Sequence, residues 1–278
     1  MVKIVTDSGS DITPELAREL DIAVVPLYLA FGEKTYRDGV DISADEFYAR
    51  LVNEHVHPTT SAPSPGDFAS VYRELAADND EIISIHISKK LSATYDAALG
   101  GKEQLAGTKC RIEVVDSQSV TTGLGLIVIA AAQAAARGSS LKQVLEVVQK
   151  ATRQVRLVGL LDTLRYLAKG GRLGKAASLL GAMLNVKALL ILKDGEIHPL
   201  GVVRTLEKGL DRLCESARAM TDIQDVGLGY STPTDGLQKL AERLRSLLPH
   251  IHPRVLRIGP ALGVHGGPGA LILALRGE

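Results

Sequence analysis

The 278-residue chain reads as a two-domain α/β protein, with an N-terminal, mainly parallel sheet flanked by helices and a C-terminal mixed α/β domain containing a hairpin. Three observations predict it. Up to residue 154, short β-branched runs alternate with helical segments, the pattern of a parallel sheet covered on both faces. Beyond it, two extended runs flank Asp194-Gly195, a strong tight-hairpin signal. Finally, 45% hydrophobic and 23% charged residues supply enough apolar material for two cores. These place the domains at 1–154 and 155–278, with no flexible linker at the boundary, so the two should pack closely around a ligand crevice.

The elements follow in order. Lys3 to Val5 is a strand, and Thr13-Pro14 opens a helix to Leu20 as cap plus proline at the first helical position. Ala23 to Phe31 is apolar and extended, and Gly32 turns it back onto Lys34 to Tyr36. A helix runs from Ser43 to Asn53. Ser64-Pro65 repeats the cap-plus-proline signal for a helix to Ala77, leaving Thr60 to Pro63 as the loop that enters it. Glu81 to Ile87 and Arg111 to Val115 are strands, with Ser92 as the cap of the helix between them. Leu124 to Arg137 and Leu141 to Gln154 are helices; the first falls short of the ~20 apolar residues that cross a bilayer and reads as buried.

In the second half, Val155 to Leu161 is a strand and a short helix ends at Lys169 before Gly170-Gly171. Val186 to Leu192 and Glu196 to Arg204 form the hairpin. Helices at Leu206 to Met220 and Leu237 to Leu247, and strands at Val226 to Tyr230, Val255 to Ile258 and Ala270 to Leu275, complete the domain.

Formal net charge is zero, and no long basic run marks a nucleic-acid binder or a protein held on anionic membranes. Cys110 and Cys214 are the two cysteines, which argues against a disulfide framework and for a reducing compartment. With no signal-peptide pattern at the N-terminus, the expected location is the cytoplasm.

Several chemical motifs fail on inspection. His265-Gly266-Gly267-Pro268-Gly269 has the look of an esterase oxyanion loop, but no G-x-S-x-G elbow accompanies it. Gly170 to Lys175 has a phosphate loop's composition without its spacing, and Ala176 stands where a Mg²⁺-holding hydroxyl belongs. Gly123-x-Gly125 lacks the third glycine of a dinucleotide fingerprint. His55 and His57 lack metal-ligand spacing and read as solvated loop histidines, so no metal or cofactor is expected.

Short polar turns remain, centred on Thr6-Asp7-Ser8, Thr60-Ser61, Ser92, Asp116-Ser117 and Gly259 to Gly269, each after an apolar run. Loops at the carboxyl ends of strands converge on one crevice, where such hydroxyls and His265 suit a small anion. The aliphatic, Trp-free composition suits an alkyl chain better than a nucleotide base.

Val5-Thr6-Asp7-Ser8, Thr60 to Ser64, Leu91 to Tyr95, Val115-Asp116-Ser117, Leu167 to Arg172, Asn185-Val186-Lys187 and Gly263 to Gly269 together resemble the DegV family of bacterial fatty-acid-binding proteins, nearly end to end. Ala62 and Ala93 depart from that family's usual Gln and Gly. The resemblance implies two α/β domains enclosing one long-chain fatty acid, its carboxylate hydrogen-bonded by Thr60 and Ser92 with Arg204 and His265 nearby. Ser8, Ser61, Ser117 and Gly266 belong to the supporting loops. It further implies a non-enzymatic carrier whose partner is an ATP-dependent fatty acid kinase, feeding acyl phosphate to phospholipid synthesis. The competing reading of the residues is a serine hydrolase or phosphotransferase using Ser92 or Ser8 with His265. It requires a base about 3 Å from the serine oxygen, oriented by a third group.

Overall fold

A computed structural model of the chain describes residues 2–54, 56–182 and 186–278; His55 and Asn185 lie outside the described residues. Strand β1 (Val2–Asp7) leads through helix α1 (Pro14–Glu19), capped by the Thr13 hydroxyl, to β2 (Ile22–Val25). The extended run then breaks at Pro26, which has no N–H for a ladder. Its second part, β3 (Tyr28–Phe31), joins a different sheet, pairing with β4 (Lys34–Arg37) across a turn in which Gly32 adopts φ 59°.

Helix α2 (Ala44–Asn53) is followed by β5 (Thr59–Ser61), a strand where the sequence reads as loop; it pairs with β3 through Leu29↔Thr60. Helix α3 (Pro65–Ala76) begins in a Ser64/Asp67 capping box. Strand β6 (Glu81–His86), helix α4 (Thr94–Glu103) and β7 (Arg111–Asp116) then complete a four-stranded parallel sheet of order β2-β1-β6-β7. Ser92 stands two residues before α4 rather than at its cap position, which Ala93 occupies.

Helix α5 (Thr121–Ala136) is buried on every side and starts a turn earlier than its apolar run. It touches β1 of the parallel sheet and β8 (Val155–Leu161), the first strand of the second sheet, to which amphipathic helix α6 (Leu141–Gln154) leads. Gly125 makes this approach possible, since a Cβ there would sit 2.8 Å from the Ser10 carbonyl oxygen. The glycine pair therefore serves close packing. Among the described residues no helix is long and apolar enough to cross a membrane.

After α7 (Arg165–Lys169) the chain forms a 3₁₀ run at Gly174–Ala182, absent from the sequence expectation. Strands β9 (Lys187–Lys193) and β10 (Glu196–Val203) make the Asp194-Gly195 hairpin, with a bulge between Pro199 and Gly201. Helix α8 (Leu206–Arg218), β11 (Asp225–Tyr230), α9 (Asp235–Leu247) and β12 (Arg254–Arg257) precede α10 (Pro260–Gly266) and β13 (Leu271–Arg276). The sheet has order β10-β9-β8-β13-β11-β12, antiparallel except for β11/β12. Helix α10 is a correction: its residues read as a glycine-rich loop, but Pro260 at its first position starts a helix that carries His265 in its last turn.

Candidate functional site

Between the sheets lies a cavity of about 1160 Å³, counting its open mouth. Leu27 and Ile87 come from the first half of the chain; Leu157, Leu190, Leu192 and Ile272 come from strands of the six-stranded sheet. No Phe or Tyr side chain lines it among the described residues. Gly159, in the middle of β8, leaves the lumen open where a side chain would stand.

Polar groups gather in this aliphatic wall. Thr60, Ser61, Ser92, Arg172, His265 and Gly266 all line the cavity. The β3/β5 pairing holds Thr60, whose Oγ1 lies 2.9 Å from His265 Nε2. With the proton on Nε2, His265 donates to Thr60 and leaves the threonine hydroxyl proton free for a ligand. The other ring nitrogen, Nδ1, is buried without a partner. It faces Gly170, where a Cβ would lie 2.1 Å from it, so the double glycine makes room for the imidazole.

The loop after β6 supplies Ser92. Its backbone N–H donates to Ser88 O (3.1 Å), and Ser88 Oγ donates to Gly195 O (2.8 Å), tying that loop to the hairpin of the other sheet. Ser92 Oγ accepts from Thr94 N–H (3.3 Å) and lies 2.8 Å from Thr94 Oγ1. When Thr94 donates its hydroxyl proton as well, the Ser92 proton is free to reach an anion.

Burial pushes the His265 imidazole down to about 4, helped by the nearby Arg172 guanidinium and His57. It is therefore neutral at neutral pH. The cation of the site is Arg172, whose Nε donates to Leu91 O (3.3 Å) and Nη1 to Gly170 O (2.8 Å), joining the Ser92 loop to the double-glycine loop.

Arg204, expected beside the carboxylate, stands elsewhere, while Ser8 and Ser117, expected in supporting loops, spend their hydroxyls on loop contacts. Arg204 is exposed beyond the end of β10 and lines no part of this cavity. β10 touches the cavity at Ile197, about 23 Å of extended strand away. Ser8 does not reach the cavity because its hydroxyl accepts from Leu27 N–H (3.0 Å) and donates to Asp38 (2.7 Å). Ser117 spends its hydroxyl locally, on Ser119 N–H (3.0 Å) and Ser119 O (3.3 Å). His57, read as a solvated loop residue, is half-buried with its ring 6.0 Å from that of Tyr166.

No serine at the mouth meets the geometry of an activated nucleophile among the described residues, since His265 bonds Thr60 and no carboxylate orients its Nδ1. An acid, histidine and serine do line up elsewhere. Asp7 Oδ2 lies 2.9 Å from His86 Nδ1, and His86 Nε2 lies 2.6 Å from Ser84 Oγ, which also accepts from Tyr72 OH (2.8 Å). All four residues are fully buried, so this chain is a structural bridge beneath the sheet. Among the described residues no cluster of His, Cys, Asp or Glu suits a metal ion.

Two buried carboxyls seat the helix that carries His265. Asp11 Oδ1 accepts from Gly259 N–H (2.9 Å) and its Oδ2 from Thr121 (2.5 Å), while Asp38 accepts from the Ala261 backbone and from Ser8. Burial raises Asp11 to about 8 and Asp38 to about 6, with neighbouring carboxylates adding to both. Both values lie above the unfolded 3.8, so this stabilisation is complete below about pH 4 and is lost as pH rises through 6 to 8. His265 acts on the acid side: its contribution is present above 6.5 and lost as pH falls toward 4. Asp11→Asn keeps an acceptor for Gly259 and removes the ionisation. Thermal melts should show it several degrees more stable than wild type near pH 9, with the gap shrinking steadily on acidification and closing near pH 4. Parallel pH profiles for the two proteins would contradict this assignment.

Known proteins share this fold. The DegV family model, described as one of uncharacterised proteins, matches residues 1–276. The chain belongs to the DegV family. A DegV domain-containing protein of Deinococcus radiodurans is 36% identical over 277 residues, covering 99% of this chain and 98% of its own. Among solved structures, this DegV family member is similar to one from Thermus thermophilus described for its fatty acid binding, with TM-score 0.91, 32% identity and coverage of 100% and 99%. DegV of Bacillus subtilis, a fatty acid binding protein, has TM-score 0.89 at 28% identity and 99% coverage of both chains. A stearic acid-binding protein of Eubacterium ventriosum has TM-score 0.89 at 29% identity, covering 99% and 98%.

Proposed function

We propose that this protein binds one long-chain fatty acid, with its tail in the aliphatic cavity and its carboxylate at Thr60 and Ser92, and presents that head group to a separate ATP-dependent fatty acid kinase. The observation that carries the reading is a largely aliphatic wall in which the Thr60 and Ser92 hydroxyls, each with a proton free to donate, stand beside Arg172. Burying about twelve methylenes at ~0.8 kcal/mol each gives on the order of 10 kcal/mol before ordering costs. Charge-assisted hydrogen bonds to the carboxylate contribute roughly 1.5 to 3 kcal/mol each and fix its orientation. Residues 1–154 and 155–278 are read as the two domains that enclose the tail.

The protein acts here as a carrier, not an enzyme. That His265 Nδ1 has no acid partner among the described residues supports that, as do the fatty-acid-binding relatives. The kinase would convert the carboxylate to an acyl phosphate for phospholipid synthesis. Two free cysteines fit a cytoplasmic setting. With purified kinase and ATP, the loaded protein should support acyl phosphate formation, and His265→Ala should lower that rate more than it lowers fatty acid affinity. Ester hydrolysis by the protein alone, abolished by Ser92→Ala and His265→Ala, would instead make it an enzyme.

A further inference from the structure

A second cavity of about 970 Å³, counting its open mouth, adjoins the aliphatic one and shares Leu91, Ser92, Ala93, Arg172 and Ile197 with it. Its character is opposite. Lys89, Lys90, Arg172 and Lys175 line it, and among the described residues its single acid is Glu196. That carboxylate takes Lys175 Nζ on one oxygen at 2.9 Å and Lys90 Nζ on the other at 3.4 Å. It thus holds two ammonium groups side by side and cancels one charge of four.

We propose that this basin is a phosphate site, placed to hold a phosphoryl group joined to the head of a ligand whose tail fills the aliphatic cavity. The placement relative to a tail rests on the fatty acid reading; the anion site itself does not. A carboxylate brings one negative charge, which the two hydroxyls and Arg172 already meet. A phosphate group carries close to two charges and three strong acceptor oxygens, and a cluster of cations is the chemistry that matches it. Arg172 lies in both cavities, so an anion growing outward from the carboxylate position passes from the hydroxyls to the lysines without leaving the arginine. The segment Gly170 to Lys175 thereby finds a use. Gly171 and Gly174, with φ of 68° and 54°, bend the chain twice within four residues, and Arg172 and Lys175 both reach the basin wall. Unlike a nucleotide loop, the basin relies on side-chain charge.

The test titrates delipidated protein by calorimetry with hexadecanoic acid, hexadecylphosphonic acid and inorganic phosphate. Wild type is compared with a Lys89→Ala/Lys175→Ala double variant and a charge-matched control, Lys142→Ala/Lys150→Ala on the exposed face of α6. The basin variant should bind the phosphonic acid at least about tenfold more weakly, with hexadecanoic acid changed by less than about threefold and the control unchanged. If inorganic phosphate binds wild type and is lost with the phosphonic acid, the basin takes the free ion too. If the phosphonic acid alone responds, the tail delivers the phosphate. Either result supports the site. Equal weakening of both long-chain ligands, an unchanged response to both phosphate ligands, or no binding of either by wild type overturns it. Failure of wild type to bind hexadecanoic acid would sink the fatty acid reading, while the inorganic phosphate arm still decides the basin.

Discussion

Gly159→Leu is expected to lower affinity for hexadecanoic acid about a hundredfold while leaving the fold intact. Gly159 lies in the middle of β8, between Ile272 and Leu190 on the neighbouring strands, and the cavity is open beside it. An added Cβ would stand 3.0 Å from Ile272 Cδ1, the flexible end of a side chain, and 4.0 Å from the Leu271 carbonyl, so the backbone can stay in place. The rest of the leucine must then enter the lumen. It displaces about four methylenes of an acyl chain at ~0.8 kcal/mol each, or roughly 3 kcal/mol, about a hundredfold in affinity. Because the side chain also fills space, the ligand-free variant should melt no lower than wild type. Calorimetric titration and thermal melts check both halves. Full affinity in a folded variant would place the tail elsewhere.

Thr60→Val combined with Ser92→Ala should weaken binding of hexadecanoic acid by about a hundredfold or more, and that of hexadecanol and methyl hexadecanoate only slightly. The reason is charge. On the proposed reading each hydroxyl would donate to an ionised carboxylate, a bond worth roughly 1.5 to 3 kcal/mol, and an alcohol or ester offers no charged acceptor. Thr60→Val keeps the β-branched shape that β5 needs and removes the oxygen beside His265 Nε2. Ser92→Ala removes an acceptor for Thr94 N–H, so circular dichroism should accompany the titrations. Equal losses for all three ligands would mean that the hydroxyls serve the turn and the strand instead of a head group.

Much of the scaffold was legible because its signals are local. Thr13-Pro14, Ser64-Pro65 and Asp194-Gly195 each fix a boundary through the geometry of a few neighbouring residues, and each stands where expected. The buried helix α5 announced itself by apolar content alone. The misses share the opposite cause. β5 is three residues long and exists through its pairing with β3, so no periodicity could mark it. Pro260 suits a turn and a helix start equally well in sequence, and the Asp11 and Asp38 carboxyls meeting the Gly259 and Ala261 N–H groups decide for the helix.

The site divides in the same way. Thr60 and His265 are 205 residues apart, and their hydrogen bond follows from the placement of β5 and α10, which only family resemblance foreshadowed. Choosing between arginines was harder still. Arg204 at the end of a strand and Arg172 after a double glycine are equally plausible as residue types, and the fold puts Arg172 at the mouth. The raised carboxyls of Asp11 and Asp38 gave no sequence signal, because their burial depends on loops from both halves of the chain.

Gentle purification followed by organic extraction and mass spectrometry identifies what the cavity holds. A lumen walled largely by leucine, isoleucine, valine and alanine side chains is unfavourable when it holds only water, so the protein should carry lipid through isolation. One long-chain fatty acid per chain is expected, displaced by added hexadecanoic acid and reduced in Gly159→Leu. Recovery of a nucleotide, or of protein with no lipid that also fails to take up hexadecanoic acid, would contradict it.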